Sequence, residues 1–245
     1  MTRDRLPWIL AGATVLAQIA YPLTSGSDRD GLTVATVLLF SATSVVHALV
    51  TRGLRVAAVL VAVTAGGGLA VEAVGTATGF PFGTYTYGDS LGPTVLGVPL
   101  VIPLAWTMMA WPAWLVALRL VRRAGVAGTL GRTVVAGWAL ASWDVFLDPQ
   151  MVAAGHWTWE SPDGIPLTNY AAWLGVALVM MAVLGQVEVQ SGPDAPMYAL
   201  YLWTYASSIL AHAVFLDLPA SAAWGALAMG PVAIPLAVTL WRERR

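Results

Sequence analysis

The sequence predicts an all-α integral membrane protein, a polytopic helical bundle of about eight transmembrane helices with two long aromatic loops on one face. Hydrophobic residues make up 58% of the chain and charged residues only 10%, whereas soluble domains carry about 25% charged residues. Apolar runs of roughly 18 to 24 residues, long enough to cross a bilayer, recur along the chain. We therefore interpret residues 1–245 as a single integral membrane domain.

Turn residues divide the chain into eight apolar segments. The predicted transmembrane helices are 6–23, 31–50, 55–76, 98–121, 130–147, 169–187, 197–216 and 220–241. Connectors rich in Gly, Ser or Arg separate them at 25–28, 52–53, 125–131 and 191–193, and the last two helices are divided near Leu218-Pro219. Arg3 and Arg5 before the first segment imitate a signal peptide, but the segment's length favours a retained helix.

The arginines predict the orientation, since cytoplasmic loops collect positive charge. The chain has twelve arginines and no lysine. With eight spans and both termini in the cytoplasm, every arginine except Arg29 lies on the cytoplasmic side. The same topology places the long connections 77–97 and 148–168 on the outer face of the cell membrane. Loops of this length usually bind or cover a ligand, so we expect the functional site there.

Composition excludes several functions. A formal net charge of −1 provides no basic face for nucleic acid. The chain has no cysteine, and His47, His156 and His212 lie in different segments, so we expect no metal site. Without lysine there can be no retinal Schiff base. For His212 we expect a structural hydrogen bond rather than catalysis.

Three acidic residues are the candidate catalytic groups. Glu72 lies near the outer end of the third segment, where a carboxylate is costly unless it is paired, protonated or hydrated. It is either functional or hydrogen-bonded to a neighbouring helix. Asp144 and Asp148 are four residues apart, on one helical face, and two such carboxylates resist double ionisation. Pro149 is expected to end or bend this helix, which leaves open that Asp148 is a boundary residue.

Aromatic side chains accompany these carboxylates. Gly and Pro exclude a regular helix from residues 78–89, where Phe80, Phe82, Tyr85 and Tyr87 could line a slot for a long apolar ligand or belong to an interfacial aromatic belt. The same alternatives apply to Trp143, Trp157 and Trp173. Asn169, at the start of a segment, is either a helix cap or a group that orients water.

Two blocks of sequence resemble a known family. Residues 72–106 read EAVGTATGFPFGTYTYGDSLGPTVLGVPLVIPLAW, residues 143–159 read WDVFLDPQMVAAGHWTW, and residues 164–173 read GIPLTNYAAW. They resemble the carotenoid biosynthesis membrane proteins, the family that includes bisanhydrobacterioruberin hydratase and carotenoid 1',2'-hydratase. The remaining segments resemble this family only in hydropathy.

The resemblance implies addition of water to the terminal double bond of an acyclic (psi) carotenoid end, which gives a tertiary alcohol without a cofactor. We expect Asp144 to donate the proton and Asp148 or Glu72 to stabilise the cation and accept a proton from water. Trp143, Tyr85 and Tyr87 would face the cation, and Asn169 would hold the water. The other residues expected to bind substrate are Phe80, Phe82, Asp89, Trp106, Trp157 and Trp173. Carotenoid and membrane lipid are the expected partners.

Two other functions remain open at this stage. An Asp-x-x-x-Asp spacing can hold magnesium and pyrophosphate in a membrane prenyltransferase, although the predicted topology places the arginines on the opposite face. A non-catalytic protein that binds or transports carotenoid or lipid would instead use Glu72 and Asp144 as a proton relay or as contacts between helices.

Overall fold

The computed structural model describes residues 5–187, 189 and 192–245, and most of them are helical. Arg3 and residue 191 of the predicted connector lie outside the described residues. The helices of the described part are α1 (Leu6–Ala20), α2 (Gly26–Arg52), α3 (Leu54–Val61), α4 (Gly67–Thr78), α5 (Val101–Leu120), α6 (Gly125–Ala141), α7 (Asp144–Ala153), α8 (Leu167–Leu184), α9 (Ala195–Leu210) and α10 (Pro219–Arg242). A π-helical turn at Ala62–Gly66 joins α3 to α4, and another at Ala211–Phe215 extends α9.

These helices confirm the all-α membrane class. Within the described residues, six helical segments are long and apolar enough to cross a membrane: Leu6–Leu23, Gly26–Arg52, Leu54–Thr78, Val101–Leu120, Leu167–Leu184 and Pro219–Arg242. The predicted spans 130–147 and 197–216 correspond to α6 with the start of α7 and to α9 with its π turn. Because α6 has 17 residues and α9 has 16, the count of eight stays a prediction, as does the orientation.

The region around Pro149 differs from the sequence-based expectation. The predicted helix 130–147 is broken after α6, and α7 begins at Asp144 and continues past Pro149 to Ala153. A proline inside a helix leaves the carbonyl four residues earlier without its usual N–H donor. Here that carbonyl belongs to Val145, and the hydroxyl of Ser221 on α10 donates to it at 3.0 Å. This replacement donor lets the helix continue, so the connection begins after α7 rather than at residue 148.

Two short antiparallel strand pairs organise the long connections. Strand β1 (Tyr85–Tyr87) pairs antiparallel with β4 (Trp157–Trp159), and β2 (Thr94–Val95) pairs with β3 (Val98–Pro99). The β1–β4 pair comes from different loops, so it joins the two aromatic connections on one face of the bundle, as predicted. Residues 98 and 99, expected at the start of a transmembrane helix, instead form β3.

Helix α5 is the centre of the bundle. Nearly all of its residues are buried, and it packs against α2, α6, α9 and α10, while α1 lies on α2 and α8 on α6. Trp111 and Leu115 of α5 are completely buried. Leu16, Val179 and Leu227 on the outer helices are exposed, as expected for side chains that contact lipid acyl chains.

Small residues let α6 and α8 approach closely, which is typical of helix pairs in membranes. A Cβ atom at Gly137 of α6 would lie 2.7 Å from Leu178 Cδ2 and 3.2 Å from the Leu178 Cα atom. Gly175 of α8 has nothing within 4 Å of the same position. An added methyl group would therefore meet the neighbouring helix at Gly137 but not at Gly175, so the two positions can be compared by the same substitution.

We predict that Gly137→Ala lowers the thermal unfolding midpoint in detergent, because α6 and α8 must separate at a cost of about 1–3 kcal/mol. Gly175→Ala, which adds the same methyl group to open space, should leave the midpoint unchanged or raise it, since alanine favours helix. Equal midpoints for the two variants would contradict this packing.

Candidate active site

Glycines on one face of α4 leave space for aromatic rings beside the Glu72 carboxylate. Gly68, Glu72 and Gly75 follow each other at intervals of four and three residues, so they share this face. A Cβ atom at Gly68 would lie 2.8 Å from Cδ1 of Trp106, and one at Gly75 would lie 2.8 Å from Cδ2 of Phe82. The two glycines therefore leave the space in which these rings approach Glu72.

Glu72 is buried and accepts three hydrogen bonds. Tyr85 and Tyr87 of β1 donate their hydroxyls to Oε2 at 2.5 and 2.8 Å, and the Trp106 indole N–H of α5 donates to Oε1 at 3.3 Å. Burial first, and then the charge of Glu72, raises the pKa of the Tyr85 hydroxyl above its usual range, so this phenol stays protonated and can donate. Three donors satisfy the acceptor-only form of the carboxylate.

Asp144 and Asp148 receive few hydrogen-bond donors, and the one that they share is the amide of Asn169. Both project from α7 with one turn between them, and both are buried. The side-chain N–H groups of Asn169, on α8, donate to Asp144 Oδ2 at 3.1 Å and to Asp148 Oδ2. Trp157 of β4 also hydrogen-bonds Asp148. Asp144 Oδ1 has no partner among the described residues, so this pair has fewer donors than two ionised carboxylates require.

A cavity of about 140 Å³ connects these groups. Glu72, Asp148 and Asn169 line it, whereas Asp144 does not. Apolar walls come from Phe82, Leu91, Val101, Ile102, Met108, Leu147 and Met151. The carboxylates therefore meet an apolar volume large enough to admit part of a ligand.

Stacked rings form the wall near the carboxylates. Trp106 and Trp173 lie parallel, with ring centroids 3.8 Å apart, and Trp143 meets Trp173 edge to face. In the β1–β4 pair, Tyr85 packs on Trp159 at 4.9 Å and Tyr87 meets Trp157 at 5.8 Å. The aromatic segments of both loops and of α5 and α8 thus converge on one place.

His156 holds the second loop against the helices. Its ring nitrogens lie 2.8 Å from the Ser90 hydroxyl and 3.4 Å from the Thr33 hydroxyl of α2. Burial lowers the pKa of His156, although Asp30 at 3.8 Å acts in the opposite direction. The neutral ring is therefore a link between the two loops and α2.

The cavity contains most of the residues that the sequence singled out for substrate binding. Those that line it are Phe82, Tyr85, Tyr87, Trp143, Trp157, Asn169 and Trp173. Trp106 lies outside the cavity lining and hydrogen-bonds Glu72. Phe80 is 74% exposed and Asp89 is also exposed, and neither lines the cavity, so the structure does not bring these two residues into the site.

Sequence reasoning missed several polar residues that line the cavity. They are Gln18 of α1, Thr33 and Thr36 of α2, Gln150 of α7, and Thr204, Ser207 and Ser208 of α9. In α9, Ser207 and Ser208 follow Thr204 by three and four positions, so the three hydroxyls share one face of an apolar helix. This spacing of hydroxyl residues in an apolar segment is the sequence feature that could have indicated a polar cavity wall.

The fold and site define a polytopic helical membrane protein with buried acidic groups in an aromatic cavity. A family model described as "Carotenoid biosynthesis protein" matches residues 32–242. The chain therefore belongs to the carotenoid biosynthesis protein family, which confirms the resemblance seen in the two sequence blocks.

One curated relative is the bisanhydrobacterioruberin hydratase of Haloarcula japonica. The chains are 38% identical over 107 residues, which cover 42% of this chain and 36% of the relative. The match thus spans little more than a third of the relative's length. No solved structure is significantly similar to this chain.

We predict that Asn169→Leu lowers the free energy of unfolding by about 1–3 kcal/mol, because it leaves two buried carboxylates without their shared donor. Adding Asp144→Asn should recover part of this loss, since the new amide can donate to Asp148 and one buried carboxylate is removed. Thermal unfolding of both single variants and the double variant in detergent measures the coupling. Strictly additive effects would contradict the shared hydrogen bonding.

Proposed function

We propose that this protein is a carotenoid hydratase that adds water across the terminal double bond of an acyclic (psi) end group. The observation that carries the proposal is a cavity with apolar and aromatic walls into which Asp148 and Glu72 both project. Membership of the carotenoid biosynthesis family and the name of the bisanhydrobacterioruberin hydratase relative support the substrate class.

The reaction needs an acid, a site that stabilises a cation, and a base. A carboxylic acid transfers its proton to the less substituted alkene carbon, and the two π electrons form the new C–H bond. The tertiary cation left behind is attacked by the oxygen of water. The resulting oxonium ion returns a proton to a carboxylate, so the net change is addition of one water and the enzyme is regenerated. No electrons are gained or lost, and no redox cofactor is required.

Asp148 is the proposed proton donor. The sequence alone suggested Asp144, but Asp148 lines the cavity and Asp144 lies outside its lining. One proton held by the two carboxylates on Asn169 avoids placing two negative charges one helical turn apart. In this arrangement Asp144 stays ionised, and the proton released by the attacking water returns to the Asp148 carboxylate in the cavity, which restores the acid after each turnover.

Glu72 is the proposed counter-charge for the cation. Its three donors favour the ionised form, and ionised it is a fixed negative charge in an apolar site. The faces of Trp143 and Trp173 add the attraction of aromatic rings for a cation. Glu72 and the Asp144–Asp148 pair have different numbers of hydrogen-bond donors. They therefore take different proposed roles, counter-charge and acid, as carboxylates do in other acid–base sites.

The proposed setting is the cell membrane, with both termini in the cytoplasm, the cavity near the outer face and membrane lipid around the bundle. A long apolar substrate dissolved in the bilayer can then present one end to the site.

We predict that cells accumulating lycopene and expressing this chain form pigments heavier by one water, about 18 mass units per hydrated end. Asp148→Asn should abolish the product, Asp144→Asn and Glu72→Gln should reduce turnover by at least about 100-fold, and all should retain bound carotenoid. Chromatography with mass spectrometry of total pigment, and of pigment that co-purifies with the protein, measures both quantities.

Asp89→Asn is the matched control, because it removes an exposed carboxylate outside the cavity and should leave product formation unchanged. Wild-type protein that binds lycopene and other acyclic carotenoids but never hydrates them would overturn the hydratase and favour a binding or transport role. Full activity of Asp148→Asn would overturn the assignment of the donor.

A further inference from the structure

A hydrogen-bonded chain behind the cavity links α7, the π turn after α9, and α10. His212 lies in the π turn, is completely buried, and meets Phe146 edge to face at 5.3 Å. Its Nδ1 atom lies 2.9 Å from the Ser221 hydroxyl, and its Nε2 atom lies 3.0 Å from the side-chain amide of Gln150. Gln150 is half-buried and lines the cavity.

The direction of these hydrogen bonds follows from the backbone. Since Pro149 has no N–H, the carbonyl of Val145 takes the hydroxyl hydrogen of Ser221 instead. A hydroxyl has one hydrogen, so Ser221 can only accept from His212. The hydrogen of the imidazole must therefore be on Nδ1.

Whether the other ring nitrogen, Nε2, is also protonated depends on the cost of placing a charged ring at this position. A doubly protonated His212 would carry a positive charge among apolar side chains, at a large desolvation cost. Within the described residues, carboxylates lie within 4.0 Å of a histidine nitrogen at His47 and at His156, whereas none lies that close to His212. The neutral ring therefore has the lower free energy, and its unprotonated Nε2 atom is a hydrogen-bond acceptor.

An acceptor at Nε2 requires a donor from Gln150. The amide atom placed nearest to Nε2 is Oε1, but oxygen and nitrogen of an amide have the same shape and are assigned by their partners. Paired with neutral His212, the amide must present its NH₂ group to the ring. Its oxygen is then free of the ring, and Gln150 belongs to the cavity lining.

We propose that His212, fixed as the neutral Nδ1–H tautomer by Ser221, orients Gln150 so that its amide oxygen accepts a hydrogen bond in the cavity from the attacking water. The role in binding water rests on the proposed hydration, whereas the tautomer does not. Gln150 would touch a reacting atom, and His212 and Ser221 are positioning residues. An acceptor in the cavity wall takes one hydrogen of the water and leaves an oxygen lone pair free to attack the cation.

Nitrogen-15 NMR of the full chain in lipid nanodiscs tests the tautomer directly. The chain has three histidines, and the signals lost in His212→Asn identify this ring. The expected spectrum has one protonated nitrogen, Nδ1, and one unprotonated nitrogen, Nε2. In Ser221→Ala, which removes the acceptor, the proton should move to Nε2, whereas Ser221→Thr should keep it on Nδ1. Two protonated nitrogens in the wild type, or a proton on Nε2 alone, would overturn the proposal.

Turnover tests the role of Gln150. Gln150→Met keeps the length of the side chain but removes the acceptor, and kcat should fall about three- to tenfold with KM for carotenoid unchanged. Ser221→Ala should produce the same kind of change, while Thr239→Ala, which removes a hydroxyl of α10 outside the cavity lining, should not.

Wild-type kcat in Gln150→Met would overturn the water-binding role even if the tautomer is as expected. A rise in KM alone would show that Gln150 contacts the carotenoid rather than the water, and would also overturn it. If wild-type protein hydrates no acyclic carotenoid, the water role fails with the proposed function, and the NMR result still decides the tautomer.

Discussion

A carboxylate inside an apolar helical bundle must be supplied with hydrogen-bond donors, and this requirement determines how the loops fold onto the helices. Glu72 draws both tyrosines of β1 and the indole of Trp106 to α4. Asn169 brings the start of α8 to α7. The donors come from β1, α5 and α8, so burying the acidic groups and joining the loops to the helices are one process.

Unequal supply of donors separates the two acidic positions chemically. Glu72 receives three donors on two oxygens, whereas Asp144 and Asp148 share the amide of Asn169, and Asp144 Oδ1 has none among the described residues. A proton on the aspartate pair supplies a donor where one is missing and removes a repulsion between like charges. Two ionised carboxylates are therefore less well supplied with donors at α7 than one is at α4, and the same cavity adjoins both helices.

Much of this site could be predicted from sequence, because some of its determinants are local. The four-residue spacing of the aspartates and the cost of Glu72 in an apolar segment are properties of single helices. The continuation of α7 past Pro149 is not a local property, because the Ser221 hydroxyl that allows it lies 76 residues beyond its acceptor, the Val145 carbonyl. Phe80 is exposed, whereas Phe82 is buried beside Gly75 of α4, and composition does not encode which of the two makes this contact.

The mixed lining adds a constraint on what can occupy the cavity. Glu72, Asp148, Asn169 and Gln150 line it together with apolar and aromatic side chains. A hydrocarbon offers no hydrogen bond to these polar groups, and leaving buried polar groups unpaired costs free energy. Water can pair with them where two or more lie within its reach. The lining therefore suits an apolar ligand and water together better than either of them alone.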